Sequence, residues 1–253
     1  MTVKELYLKL DTYIPRSLSC EWDNDGLMCC PDGQKEVHRA LVTLDVTAHA
    51  VQKAIDGNYD VIVSHHPFIF KGLKSVNDEN FISDKAIKLI QNGISVFSFH
   101  TRLDALRGGV NDRLSELLGL KNTEAFGECG IGRIGELDGE MSGEQLASLV
   151  KDRLCADGVL LADSGRTCKR VAVLGGEGGD DLHEAIKLGA DAYVSGRLGY
   201  HSMTDAPDMG ITLVEAGHFF TEYPICERIS QMIKEIDSSI ECDLFFSNRI
   251  KLI

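Results

Sequence analysis

Three short stretches set histidine beside histidine or carboxylate at spacings that suit a metal ion. "VIVSHHPFIF" holds adjacent His65 and His66, "HTRLD" places His100 four residues before Asp104, and "GHFFTE" places His218 four residues before Glu222. Neutral imidazoles and carboxylates are the donors that Zn, Fe, Mn, Ni and similar divalent ions take. Adjacent residues at a strand end project in different directions. His65 and His66 therefore serve two neighbouring ions more easily than they chelate one. On a helix, His218 and Glu222 would lie one turn apart on the same face. That spacing can put a histidine on one ion and a carboxylate between both. The expectation is a dinuclear site.

Each stretch also has a plainer account. A His-His pair at a strand end is commonly a polar loop or a hydrogen-bonded core pair. A carboxylate in the first turn of a helix is favoured by the helix dipole whatever its function. It is the convergence of three such sets on strand ends that favours metal. His100 and His201 are candidates for acid–base work or substrate contact, with a surface-loop histidine as the plain reading of His201. Asp45, one strand away from the histidines, is either a support for them or a helix cap.

The elements that must position these residues follow from hydrophobic pattern. "RALVTLDV" (39–46) and "DVIVS" (60–64) read as buried strands flanking a helix, "TAHAVQKAIDG" (47–57). A helix near 83–92, a strand at 93–100 and a helix near 109–118 follow. The segment 121–170 is less clear apart from a capped helix at 142–154. Then "KRVAVLGG" (169–176), a helix at 181–190 and "DAYVS" (191–195) repeat the first pattern. Such alternation predicts α/β architecture with βαβ units and a largely parallel sheet. Ligands in such sheets gather at the carboxyl ends of the strands, where His65 and His66, His100 and His218 fall.

The second pattern repeats the first in detail. Moving residues 39–64 forward by 131 positions matches Arg39 to Arg170, Val42 to Val173, Ala54-Ile55 to Ala185-Ile186, Asp60 to Asp191 and Val63-Ser64 to Val194-Ser195. Beyond that point each half offers a further strand and a histidine with a carboxylate four residues on. An internal duplication accounts for this. It predicts one metal-binding unit over 1–253 made of two pseudo-symmetric lobes, approximately 1–122 and 123–253. The lobes should close around the metal site, with the C-terminal helix returning to the first.

Weaker signals frame the rest. "GGEGGDD" (175–181) lacks phosphate-loop order and is too acidic to attract an anion, so a tight turn with an aspartate helix cap is expected. "CEWDNDGL" (20–27) reads as a turn beside a buried tryptophan, with no chemistry of its own. A formal net charge of −13 disfavours extended contact with nucleic acid and suits a protein that holds cations. Eight cysteines without C-x-x-C spacing suggest reduced thiols, hence a cytoplasmic protein. No apolar run approaches the roughly 20 residues that span a bilayer, and the N-terminus reads as an amphipathic helix without a signal-peptide core.

"WDNDGL", "VIVSHHPFIF", "HTRLDALRGGVND", "VAVLGGEGG", "ADAYVSGRLGYH" and "EAGHFFTE" together resemble the YbgI-like, NGG-interacting-factor-3-like proteins, often labelled GTP cyclohydrolase 1 type 2 homologs. The resemblance runs along nearly the whole chain. It implies a two-metal centre with His65 and His66 on different ions, Asp104 on one, His218 on the other and Glu222 bridging. His100 would stand close by. It also implies a toroidal homohexamer, a trimer of dimers, and a cyclohydrolase activity in which water adds to the purine ring of GTP, the ring opens and formate leaves. Two-metal phosphoester hydrolysis and a non-enzymatic metal-binding or scaffold role are the alternatives. The chain departs from the family's usual pattern at Arg102 and Arg197, where altered substrate contacts would be felt, and segment 121–170 is too short for the inserted domain of some relatives.

Overall fold

The computed structural model describes residues 1–253. In chain order the strands are β1 (Gly26–Cys29), β2 (Arg39–Thr43), β3 (Val61–Ser64), β4 (Ser95–Ser98), β5 (Lys121–Phe126), β6 (Gly132–Met141), β7 (Leu160–Ala162), β8 (Cys168–Glu177), β9 (Ala192–Arg197), β10 (Thr212–Glu215) and β11 (Glu241–Phe245). The helices are α1 (Val3–Tyr13), α2 (Ala48–Asp56), α3 (Phe81–Gln91), α4 (Thr101–Ala105), α5 (Val110–Leu118), α6 (Gly143–Leu154), α7 (Leu182–Lys187), α8 (Tyr200–Met209), α9 (His218–Glu222) and α10 (Ile225–Ile236). None of the helices is long and apolar enough to cross a membrane.

The chain divides into two compact units, one of Met1–Leu103 with Ile225–Asn248 and one of Asp104–Pro224 with Arg249–Ile253. Residues 104–122, counted with the first lobe from sequence, thus belong to the second unit, because α5 lies on β8 and β5 pairs with β6. The helix α10 belongs to the first unit, where it packs on α1 and β2.

The first unit is built on a five-stranded sheet in the order β1-β4-β3-β2-β11. β4, β3, β2 and β11 are parallel, and β1 runs antiparallel along β4. Alternation along each strand sorts the side chains between two faces. Leu41, Ile62 and Val96 meet Val51 and Ala54 of α2 and Ala86 and Leu89 of α3. The opposite face carries Phe97, on which Tyr7 of α1 packs with ring centroids 5.4 Å apart. Burial on both faces explains why these strands read as continuous apolar runs. Thr47 caps α2 by accepting from the Ala50 amide, and Asn80 caps α3.

The second unit holds a six-stranded sheet, β5-β6-β8-β9-β10-β7, parallel only through β8, β9 and β10. Val171, Val173, Val194 and Val214 face Leu114 and Leu118 of α5 and Leu146 and Val150 of α6. Ala172, Leu174, Tyr193 and Leu213 face Leu182 and Ala185 of α7 and Ala206 of α8. α6 opens on a capping box between Ser142 and Gln145. The fold is therefore mixed α/β with two sheets, each parallel in its middle and bordered by an antiparallel strand.

The repeat visible in sequence recurs in the hydrogen bonds. Asp60 Oδ2 accepts from the His38 and Arg39 amides, at 2.8 and 3.0 Å. Asp191 Oδ2 accepts from the Lys169 and Arg170 amides, at 3.0 and 2.8 Å. Arg39 reaches the Gly57 carbonyl and Arg170 the Leu188 carbonyl, again 131 positions on. The β2–β3 pairing of Val42 with Val63 matches the β8–β9 pairing of Val173 with Val194. The third strands are equivalent too, but Ser64 faces Ser98 whereas Ser195 faces Glu215. That register makes Thr101 the counterpart of His218 and Asp104 the counterpart of Thr221. α4 and α9 then start and end at equivalent positions, yet their His/carboxylate pairs are offset by one residue, about 100° of helical rotation.

Two local expectations are corrected. Trp22 is not buried; it is 54% exposed. Asp181 does not cap the following helix, since no side-chain bond reaches it, and its carboxylate accepts instead from the Glu128 amide. The "GGEGG" stretch is mostly strand, because β8 continues through Gly176 to Glu177.

Candidate metal centre

β3 ends at Ser64 and delivers His65 and His66 at the carboxyl edge of the first sheet. The His65 ring is fully buried, and its Nδ1 lies 3.0 Å from the Phe99 carbonyl, an obligate acceptor. Nδ1 must therefore carry the proton, so Nε2 is the nitrogen that could ligate a metal ion. His66 Nδ1 lies 2.7 Å from Asp45 Oδ1. Asp45 is thus a support for His66, and Thr47 takes the helix cap that was its other possible role. His100 Nδ1 lies 2.9 Å from Asp23 Oδ1. The three rings gather with centroids 5.0 to 5.7 Å apart, and their ligand nitrogens lie within 4.8 Å of one another.

Asp23 comes from the "CEWDNDGL" turn, to which the sequence assigned no chemistry. Its Oδ2 also accepts from the Thr101 amide and hydroxyl, at 3.0 and 2.6 Å, so one carboxylate orients His100 and caps α4. Burial alone would raise the Asp23 pKa, but the hydrogen bond and charge of His100 and the two bonds from Thr101 outweigh it and hold the carboxyl at about 2. Neighbouring Asp25 accepts from Arg102 Nε at 2.9 Å. Arg102 is wholly buried, with Nη1 donating to Asp11 and to the Ile14 carbonyl. It braces the interior of the first unit. The partners of Asp23 lie 77 and 78 residues away, so only the D-x-D spacing in a tight turn signalled it.

A cleft of about 480 Å³ opens beside His66, with Asp45, Phe68, Phe81 and Lys85 in its wall. Lys85 Nζ donates to the Val46 carbonyl at 2.6 Å and lies 5.3 Å from the Phe68 ring centre. Burial lowers the Lys85 pKa, opposed by the charge of Asp45.

In the second unit, α9 sets His218 Nε2 3.0 Å from Glu222 Oε2. The run from His218 onward, read as opening one helix, is two helices with Pro224 between them. Glu222 is buried and His218 half-exposed. Glycines make this approach possible. A Cβ on Gly176, whose φ is +73°, would fall on Glu222 Oε1. A Cβ on Gly196 would come within 2.7 Å of the His218 Cα. Gly196 is the repeat counterpart of His65, so the second copy uses for helix packing the position where the first places a buried histidine. Thr221 Oγ1 accepts from the Gly176 amide at 3.0 Å and locks α9 to β8.

Asp104 is buried on α4, one turn after His100. His201 lies in the first turn of α8, exposed and edge-on to Tyr200. Arg197 is exposed, with Glu177 at 3.9 Å.

Residues 1–252 match the Duf34/NIF3 (NGG1p interacting factor 3) family. The chain belongs to that family. It is 32% identical over 249 residues to a Clostridium perfringens protein named GTP cyclohydrolase 1 type 2 homolog, covering 95% of each chain. A Clostridium acetobutylicum protein of the same name is 34% identical, covering 92% of this chain and 90% of that one. The crystal structure of Staphylococcus aureus protein SA1388 superposes with a TM-score of 0.90 at 28% identity, covering 100% of this chain and 99% of that one. Duf34/NIF3 membership thus accounts for the whole chain, both sheets included.

Proposed function

We propose that this NIF3-family protein is a dinuclear metal-dependent hydrolase acting on a small, nucleotide-like substrate. The observation that carries the reading is the treatment of the three clustered histidines. Each has Nδ1 committed to a carbonyl or carboxylate, the arrangement that fixes tautomer and ring orientation for coordination through Nε2. The donor set therefore fits divalent transition ions. His65, His66, Asp104, His218 and Glu222 would hold two of them, with Glu222 shared. This requires the two units to close on one another. Divalent ions held there would supply Lewis acidity and activate water as a nucleophile.

The chain's own residues would do the rest. His100, whose Nδ1 donates to Asp23, offers Nε2 to receive or return a proton near the substrate. Lys85 supplies positive charge in the cleft beside His66, where an anionic substrate group would be drawn. The name shared by the curated relatives, GTP cyclohydrolase 1 type 2 homolog, favours purine-ring opening over other hydrolytic chemistry.

Product analysis tests the reading. Metal-loaded protein incubated with GTP is expected to release formate and a ring-opened nucleotide. Release of inorganic phosphate instead would point to a phosphoesterase. No product across nucleotide and phosphoester panels, with metal bound, would leave a metal-binding or regulatory role in its place.

A further inference from the structure

The loop that orients His100 also carries the chain's single tryptophan, and holds it outward. On one side of Trp22, Asp23 is tied to His100 and Thr101 and Asp25 to Arg102. Asn24 Nδ2 donates to the Ile69 carbonyl, which fastens this loop to the segment bearing Phe70. A residue flanked by so many fixed neighbours has a defined position, yet Trp22 stays 54% exposed and Phe70 45% exposed. The two rings meet edge to face with centroids 6.4 Å apart. Both also stand edge-on to His100, at 6.2 and 6.3 Å. Trp22, Phe70 and His100 thus form one aromatic corner whose third member belongs to the histidine cluster.

We infer that Trp22 and Phe70 are the stacking platform for a planar nitrogen heterocycle, of purine size, presented to the His65/His66/His100 cluster. Size argues for a small ligand. Side chains of this kind bury about 150–250 Å² each when covered, so half-exposed Trp22 and Phe70 offer roughly 200 Å² together. A stable protein interface needs about 800 Å² per partner. Two aromatic rings at an edge-to-face angle cover one ring face and one ring edge, which suits a flat base. Every nucleobase has a π-face, and stacking on an indole is tolerant of which base it is. Hydrogen-bond selection would then fall to the polar groups around His100. Sequence alone concealed this role, because a lone tryptophan in a turn is ordinarily core.

The inference rests on the nucleotide-like reading of the site, and its test separates the two. With one tryptophan in the chain, indole emission reports this corner directly. Guanosine titrated into metal-free and metal-loaded protein is expected to quench Trp22 emission saturably, whereas ribose 5-phosphate at equal concentration should not. Phe70→Leu should weaken guanosine binding roughly ten-fold, and Trp22→Leu, followed by calorimetry, by at least as much. Circular dichroism and metal content unchanged in both variants would show that the fold and the histidine cluster survive. An unresponsive Trp22 at millimolar guanosine, or equal quenching by ribose 5-phosphate, overturns the inference. So does emission that shifts with protein concentration alone, which would assign the patch to contact between copies. Hydrolysis with a silent Trp22 overturns only the platform, and nucleoside binding without turnover overturns only the hydrolase.

Discussion

Each clustered histidine is held at one nitrogen, and that hold sets what the other can do. Asp45→Asn keeps a partner for His66 but loses the charge that makes its ring a strong donor, and Asp23→Asn does the same to His100. Loss of such supports typically costs 10–100-fold in metal affinity. The expected outcome for Asp45→Asn is a drop of that size, measured by competition with a chelator, with little change in melting temperature. Asp23→Asn should destabilise the start of α4 as well, since the same carboxylate caps it. Glu222→Gln preserves shape and removes charge from the proposed bridge. It is expected to lose at least one ion per chain by elemental analysis while the fold persists, and Asp104→Asn should weaken mainly one ion. Full occupancy in Glu222→Gln would refute the bridging role. The clustering of His65, His66 and His100 was legible from their places at strand ends. Asp23 was not, because its partners are 77 and 78 residues away, and contacts of that range leave no periodic trace.

At the scale of elements, the duplicated βαβ units were legible because doubly buried strands must be apolar throughout. β5 shows the opposite case. Its residues are exposed along most of the strand, and "KNTEAF" carries neither a continuous nor an alternating pattern. The one-residue offset between α4 and α9 was also invisible, since it is set by strand register and not by motif spacing. Glycine positions carry the consequence. Gly176→Ala would force a left-handed φ on an L-residue, costing roughly 1–2 kcal/mol, and would push Glu222 away. Reduced denaturant midpoint together with reduced metal content is expected; an unchanged metal content would show that α9 tolerates the shift. Asp60 makes a second test. Burial raises its pKa, but the His38 and Arg39 amides and Lys35 outweigh this and leave it lowered. A lowered folded pKa stabilises the protein above the ordinary aspartate range, and that stability is lost as pH falls through the folded value. Asp60→Asn should therefore flatten the acid limb of a stability–pH profile. A profile unchanged in shape would contradict it.

For the whole molecule, the net charge of −13 suits cation binding and predicts poor affinity for duplex DNA at physiological salt. A homohexamer, a trimer of dimers, remains the expected assembly by family resemblance. Sedimentation at micromolar concentration should show it, and a monomer would refute it. The proposed ligands divide between the chain's two units, His65 and His66 in one and Asp104, His218 and Glu222 in the other. The proposed centre therefore exists only if both contribute to it. Elemental analysis of reconstituted, dialysed protein tests this most directly. The account predicts close to two divalent transition-metal ions per chain; protein that retains none after reconstitution would contradict it.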